Sequence, residues 1–120
     1  MKFKWTTLRV KNLDTSLDFY CGSLGMRVDS RFGSPDHPIV MLGEADGAKV
    51  ELISDPAGVS DLPGQGVSIG LIPDDLDGLV AKLKANPSLH VTGPIAPNPS
   101  IRFFFVNDPD GYHIQLAEQK

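Results

Sequence analysis

A single cysteine, Cys21, stands in a chain of 120 residues. It has no partner for an intrachain disulfide, so the core has to hold the fold, and the compartment expected is a reducing one, the cytoplasm. Basic runs are missing as well: 11 Lys and Arg face 15 Asp and Glu, a net charge of −4. Nucleic acid is therefore not an expected partner, because phosphate binding depends on clustered positive charge that releases counterions. No stretch approaches the ~18 apolar residues that span a bilayer. The opening MKFKWTTLRV has two lysines with no apolar stretch behind them, so neither a signal peptide nor a membrane anchor is expected. Also lacking are a Gly-x-Ser-x-Gly elbow, a phosphate loop, a dinucleotide fingerprint and a Cys-x-x-Cys pair. Acyl-serine hydrolysis, nucleoside triphosphate use, Rossmann cofactors and thiol redox are left without support. The Asp108-Pro109-Asp110-Gly111 run lacks the spaced ligands and terminal Glu of a calcium loop and reads as a turn.

What is present is a periodic pattern that occurs twice. Residues 3–10 alternate as a strand, with Leu8 and Val10 on one face and Trp5, Thr7 and Arg9 on the other. Leu13, Leu17, Tyr20 and Leu24 then form one stripe of an amphipathic helix, which Asp14 or Thr15 would cap and Gly25 would follow. Met26–Phe32, Ile39–Leu42 and Ala48–Ile53 are apolar runs separated by turn residues, a three-strand meander. The order returns a little over sixty residues later. Val67, Ile69 and Leu71 alternate; Asp74 or Asp75 caps a helix striped by Leu76, Leu79, Val80 and Leu83; and Asn86-Pro87 ends it. Leu89–Val91, Ile101–Val106 and Tyr112–Ala117 supply the last strands, with a proline-rich stretch over residues 89–100 read as a surface loop with an interrupted edge strand. The fold class expected is α+β: two βαβββ modules, residues 1–60 and 61–120, forming a single domain whose sheet carries one helix per module on its outer face.

Three segments carry a family resemblance: TTLRVKNLDTSLDFYCGSLGMRV at 6–28, AKVELI at 48–53 and FFFVNDPDGYHIQLAE at 103–118. The chain resembles the vicinal oxygen chelate superfamily, the group of glyoxalases, bleomycin-resistance proteins and ring-cleaving dioxygenases. The resemblance implies a curved sheet forming a cup, in which metal-dependent members hold a divalent ion with imidazole and carboxylate ligands. By motif, those ligand positions fall here on Trp5, Glu51, Ser68 and Gln115. Only Glu51 is a good ligand. The Trp5 indole N–H donates and cannot coordinate, Ser68 is a poor neutral donor, and Gln115 offers one amide oxygen. No cofactor is expected on this donor set, with a divalent metal as the alternative. His37 and His90 read as surface histidines, and Cys21 as a packing residue rather than a nucleophile.

The same positions furnish a small-molecule pocket: Trp5 as a stacking plane, Glu51 as a charge, Thr7 beside them, Ser68 and Gln115 as hydrogen-bonding groups. Alternation puts His113 on the face of Gln115, and Phe103 with Phe105 on one face and Phe104 on the other. Glu51 has two readings, a general base or counter-charge for a cation, and a carboxylate paired with Arg9 or Arg102. Two functions follow. The first is a metal-independent binding protein for an aromatic or cationic organic molecule, working as a homodimer as the bleomycin-type sequestering proteins do. The second is a glyoxalase-like lyase, an isomerase or a dioxygenase with an altered metal site, Glu51 acting as ligand or base. A partner-binding or regulatory domain without a small ligand is the third possibility.

Overall fold

A computed structural model describes residues 1–61 and 64–120. Two compact units divide the chain, Met1–Asp61 and Leu62–Lys120. Each has its own four-stranded mixed sheet and one main helix, two βαβββ modules in sequence.

The first unit contains β1 (Trp5–Val10), α1 (Leu13–Leu17), β2 (Val28–Gly33), β3 (Pro38–Leu42) and β4 (Lys49–Ser54), with strand order β1-β4-β3-β2. The β1 and β4 strands run parallel, with Thr7 opposite Glu51 and Leu8 opposite Leu52; β3 is antiparallel to β4, with Val40 opposite Leu52 and Met41 opposite Glu51. Because side chains alternate, this register places Leu8, Val10, Val40, Leu42, Val50 and Leu52 on one face, and all six are buried. Each contributes about 1.5–3 kcal/mol by leaving water.

The helix of this unit differs from the one expected. Its N-cap is Asn12, whose Oδ1 accepts from the Thr15 backbone N–H at 3.0 Å, so Asp14 and Thr15 lie inside the first turn. After Leu17 the chain widens into a π-helical segment, Asp18–Ser23. Ser16, Phe19 and Tyr20, spaced i, i+3, i+4 on one face, are buried, while Leu13, Leu17 and Leu24 are only partly covered. Phe19 and Tyr20 meet edge to face, with ring centroids 5.0 Å apart.

The second unit contains β5 (Ser68–Leu71), α2 (Leu76–Lys84), β6 (Val91–Asn98), β7 (Ile101–Asn107) and β8 (His113–Gln119), in the order β5-β8-β7-β6. Again the first and last strands pair in parallel, with Gly70 opposite Gln115 and Leu71 opposite Leu116. Phe104, Val106, Ile114 and Leu116 form the buried face, together with Leu76, Val80 and Leu83 of α2. Asp75 caps α2 by accepting from the Gly78 N–H at 3.0 Å. Arg102 ties this helix to the sheet: its guanidinium spans both Asp77 oxygens, at 2.9 and 3.1 Å, and reaches Glu118 at 2.9 Å. That fork holds the exposed Asp77 carboxyl below its ordinary range, chiefly through the hydrogen bond itself.

Two expectations are corrected here. The proline-rich stretch does hold an interrupted edge strand, but that strand takes up most of it in place of a loop: β6 pairs antiparallel with β7 over Val91–Asn98, with register shifts around Ile95. Prolines fit there because β6 is the edge of its sheet and needs no donor on its outer side. Val67 is outside β5 and 60% exposed, so it is not a core residue. No described helix is long and apolar enough to cross a membrane.

Candidate functional site

Each sheet has a second face, opposite its buried one, and every candidate residue of the sequence reading falls on such a face. In the first unit, cross-strand pairing brings Thr7, Glu51 and Met41 into one row and Arg9, Ile53, Ile39 and Phe32 into the next, with Trp5 opposite Lys49 at the start of β1. Trp5 is 54% exposed, leaving its ring available for stacking. The Thr7 hydroxyl donates to Glu51 Oε1 at 2.6 Å. The short distance is that of a hydroxyl on a carboxylate, and it fixes the orientation of the acid.

Neither arginine considered for Glu51 pairs with it. Arg9 bonds Asp55 at 3.0 Å, and Arg102 is taken by Asp77 and Glu118. Both pairs follow from the chain path. Asp55 sits one residue beyond β4, alongside the end of β1, and Glu118 is the cross-strand partner of Arg102. Lys49 is also engaged, donating to the backbone carbonyls of Glu44 and Gly47 across the β3–β4 loop.

In the second unit the corresponding rows are Ser68, His113 and Asn107, then Gly70, Gln115, Phe105 and Thr92, then Ala117, Phe103 and Ile95. His113 and Gln115 therefore share a face, as do Phe103 and Phe105, whose rings meet edge to face at 5.5 Å; Phe104 lies in the core. Gly70 brings no side chain beside Gln115, and a Cβ built there would meet the amide oxygen only at 3.7 Å. An open cleft of about 250 Å3 lies on this face, lined by Gly66, Val67, Ser68, Phe105 and His113.

Asn107 reads from the sequence only as part of a turn, yet it adjoins a candidate residue: His113 Nδ1 lies 2.9 Å from its Oδ1. The sequence did hold a signal. Asn107 and His113 flank the Asp108–Tyr112 turn symmetrically, which makes them the closing pair of the β7–β8 hairpin. Buried Asp108 builds that turn, its Oδ1 accepting from the backbone N–H groups of Asp110 at 2.9 Å and Tyr112 at 2.8 Å. His37 and His90 are exposed and lie outside the paired positions of these rows. Burial pushes the Cys21 thiol up from its ordinary range, with a smaller opposing effect of Arg31, so the reactive thiolate is disfavoured.

The family's metal does not fit the residues present. Of the four positions that the resemblance marks, Trp5 cannot coordinate, Ser68 and Gln115 are weak neutral donors, and Glu51 alone brings a carboxylate. Among the described residues no group of three or more His, Cys, Asp or Glu could hold a metal ion.

The family model described as the Glyoxalase/Bleomycin resistance protein/Dioxygenase superfamily matches residues 2–116. A lactoylglutathione lyase of Haemophilus influenzae is 35% identical over 130 residues, covering 100% of this chain and 94% of that protein. Among solved structures, the trypanothione-dependent glyoxalase I of Leishmania major superposes with a TM-score of 0.78 at 28% identity, over 97% of this chain and 85% of its own. An antibiotic binding protein from Streptomyces sp. CB03234 shares the fold with a TM-score of 0.75 at 22% identity, over 100% and 97% of the two chains. With the doubled βαβββ module and these matches together, the chain belongs to the glyoxalase/bleomycin resistance protein/dioxygenase superfamily.

Proposed function

We propose that this protein binds a small aromatic or cationic organic molecule without the metal of its lyase relatives. The observation that carries the reading is the donor set: indole, hydroxyl and amide stand where a metal needs imidazole and carboxylate. The first unit offers a stacking plane at Trp5 and a counter-charge at Glu51 held by Thr7, and the second offers aromatic and hydrogen-bonding groups at Phe103, Phe105, Ser68, His113 and Gln115. An antibiotic binding protein with the same fold supports the class of function. The protein acts in this reading as a single-domain homodimer in the cytoplasm, with neither nucleic acid nor membrane as partner. Trp5 is the sole tryptophan, so its fluorescence reports the first unit directly. Titration with planar cations is expected to quench or shift it at micromolar concentrations, and Glu51→Gln is expected to weaken the cations while sparing neutral planar compounds.

The identity to a lactoylglutathione lyase over the whole chain favours a second reading, a lyase with an altered metal site in which Glu51 is a ligand. It requires Glu51→Gln to abolish metal binding and turnover together. Wild-type affinity for nickel or zinc no better than that of the variant removes this reading.

A further inference from the structure

The cleft of the second unit contains no charged side chain among its described lining residues: Gly66, Val67, Ser68, Phe105 and His113. Its volume of about 250 Å3 suits a single substituted ring, since a cavity of roughly 150 Å3 already accepts benzene. Phe105 and Val67 supply apolar surface for such a ring. The polar chemistry is set by the pair at the hairpin's closing position. The Asn107 amide oxygen only accepts, so its 2.9 Å contact with His113 Nδ1 is a hydrogen bond in the tautomer that carries the imidazole proton on that nitrogen. The lone pair of the neutral ring is then on Nε2, on the side away from Asn107. A charged ligand finds no counter-charge among the described lining residues of this cleft, whereas a neutral ring bearing one donor satisfies Nε2.

Resting on the small-molecule reading above, we propose that this cleft binds a neutral aromatic molecule with a phenol-type hydroxyl, which donates to Nε2 of His113. Asn107 is the positioning residue that fixes the tautomer. Ser68, at the mouth of β5, supplies a second hydroxyl that either donates to or accepts from a neighbouring substituent.

The test uses the full chain and three probes of one shape, 4-methylphenol, 4-methylanisole and 4-methylbenzoate, followed by calorimetry and by imidazole nitrogen NMR at a pH where the ring is neutral. His113 in the free protein is expected to carry its proton on Nδ1, and 4-methylphenol to bind about tenfold more tightly than the ether or the carboxylate, as one net hydrogen bond allows. Asn107→Ala is expected to release the proton to Nε2 and erase the preference for the phenol. Asn107→Asp keeps an acceptor beside Nδ1 and is expected to retain the preference for the phenol over the ether. Backbone amide spectra of both variants verify that the hairpin is formed. A proton on Nε2 in the free wild-type protein, equal affinity for phenol and ether, or no binding of the phenol at millimolar concentration would overturn the proposal. Stoichiometric metal binding with the phenol preference intact overturns the metal-free functional reading and leaves the cleft assignment standing.

Discussion

The two units use one backbone plan for different chemistry. At the same register position Thr7 faces Glu51 in the first sheet and Gly70 faces Gln115 in the second. Next in each row come Met41 in the first and Phe105 in the second. One unit therefore holds a carboxylate by a hydroxyl at 2.6 Å. The other leaves an amide beside a glycine, next to aromatic rings. Their buried faces, in contrast, are alike: Leu52 lies between Leu8 and Val40, and Leu116 between Leu71 and Phe104. Core positions are constrained to apolar residues of suitable volume, whereas the opposite faces are free to diverge.

The largest effect should come from the shared part. Leu52 and Leu116 are both essentially inaccessible, so Leu52→Ala and Leu116→Ala are each expected to cost about 2–5 kcal/mol in urea unfolding. A cost below about 1 kcal/mol for either would break the equivalence of the two cores. The next effect separates the faces. Glu51→Gln should weaken a planar cation by about tenfold or more, as expected for losing a hydrogen bond to a charged group, while Gln115→Asn changes it little; titration of Trp5 fluorescence reads both. Thr7→Val should leave the fold intact and lower the affinity for the same cation by a smaller factor, because the carboxylate stays but is no longer oriented.

The smallest effect is a pH dependence belonging to the second unit. Asp77 has a folded pKa held below its unfolded value by the hydrogen bond from Arg102. Its contribution is complete above the unfolded carboxylate value of about 3.9 and is lost as pH falls through the lower folded value. Replacing Asp77 with Asn should flatten this part of the acid limb in denaturation followed against pH. An acid limb identical in the variant would show that the Arg102 fork does not couple to folding.

Much of this was legible in the chain. Strand alternation put Trp5, Thr7 and Glu51 on one face and His113 with Gln115 on another, because a two-residue period leaves no freedom once the buried face is known; it set Phe103 and Phe105 together opposite Phe104 without choosing their face, which the pairing of Phe105 with Gln115 decides. The helix of the first unit was less legible. Its expected stripe of Leu13, Leu17, Tyr20 and Leu24 assumes a uniform period, whereas the helix becomes π-helical after Leu17 and buries Ser16, Phe19 and Tyr20. Ion pairs were not legible, since Arg9 and Arg102 each had several carboxylates within sequence reach and only strand register selects Asp55 and Glu118. Asn107 was hidden for a similar reason. Its composition says turn, and its partnership with His113 exists only once the hairpin closes.

The central claim is that this member of the superfamily has exchanged a metal site for an organic ligand site. The most direct measurement is metal stoichiometry per chain after incubation with nickel, zinc, manganese and ferrous iron, in the wild type and in Glu51→Ala. The account predicts far less than one ion per chain, with no difference between the two proteins. Close to one ion per chain, lost in Glu51→Ala, would contradict it and return the protein to the metal-dependent lyases.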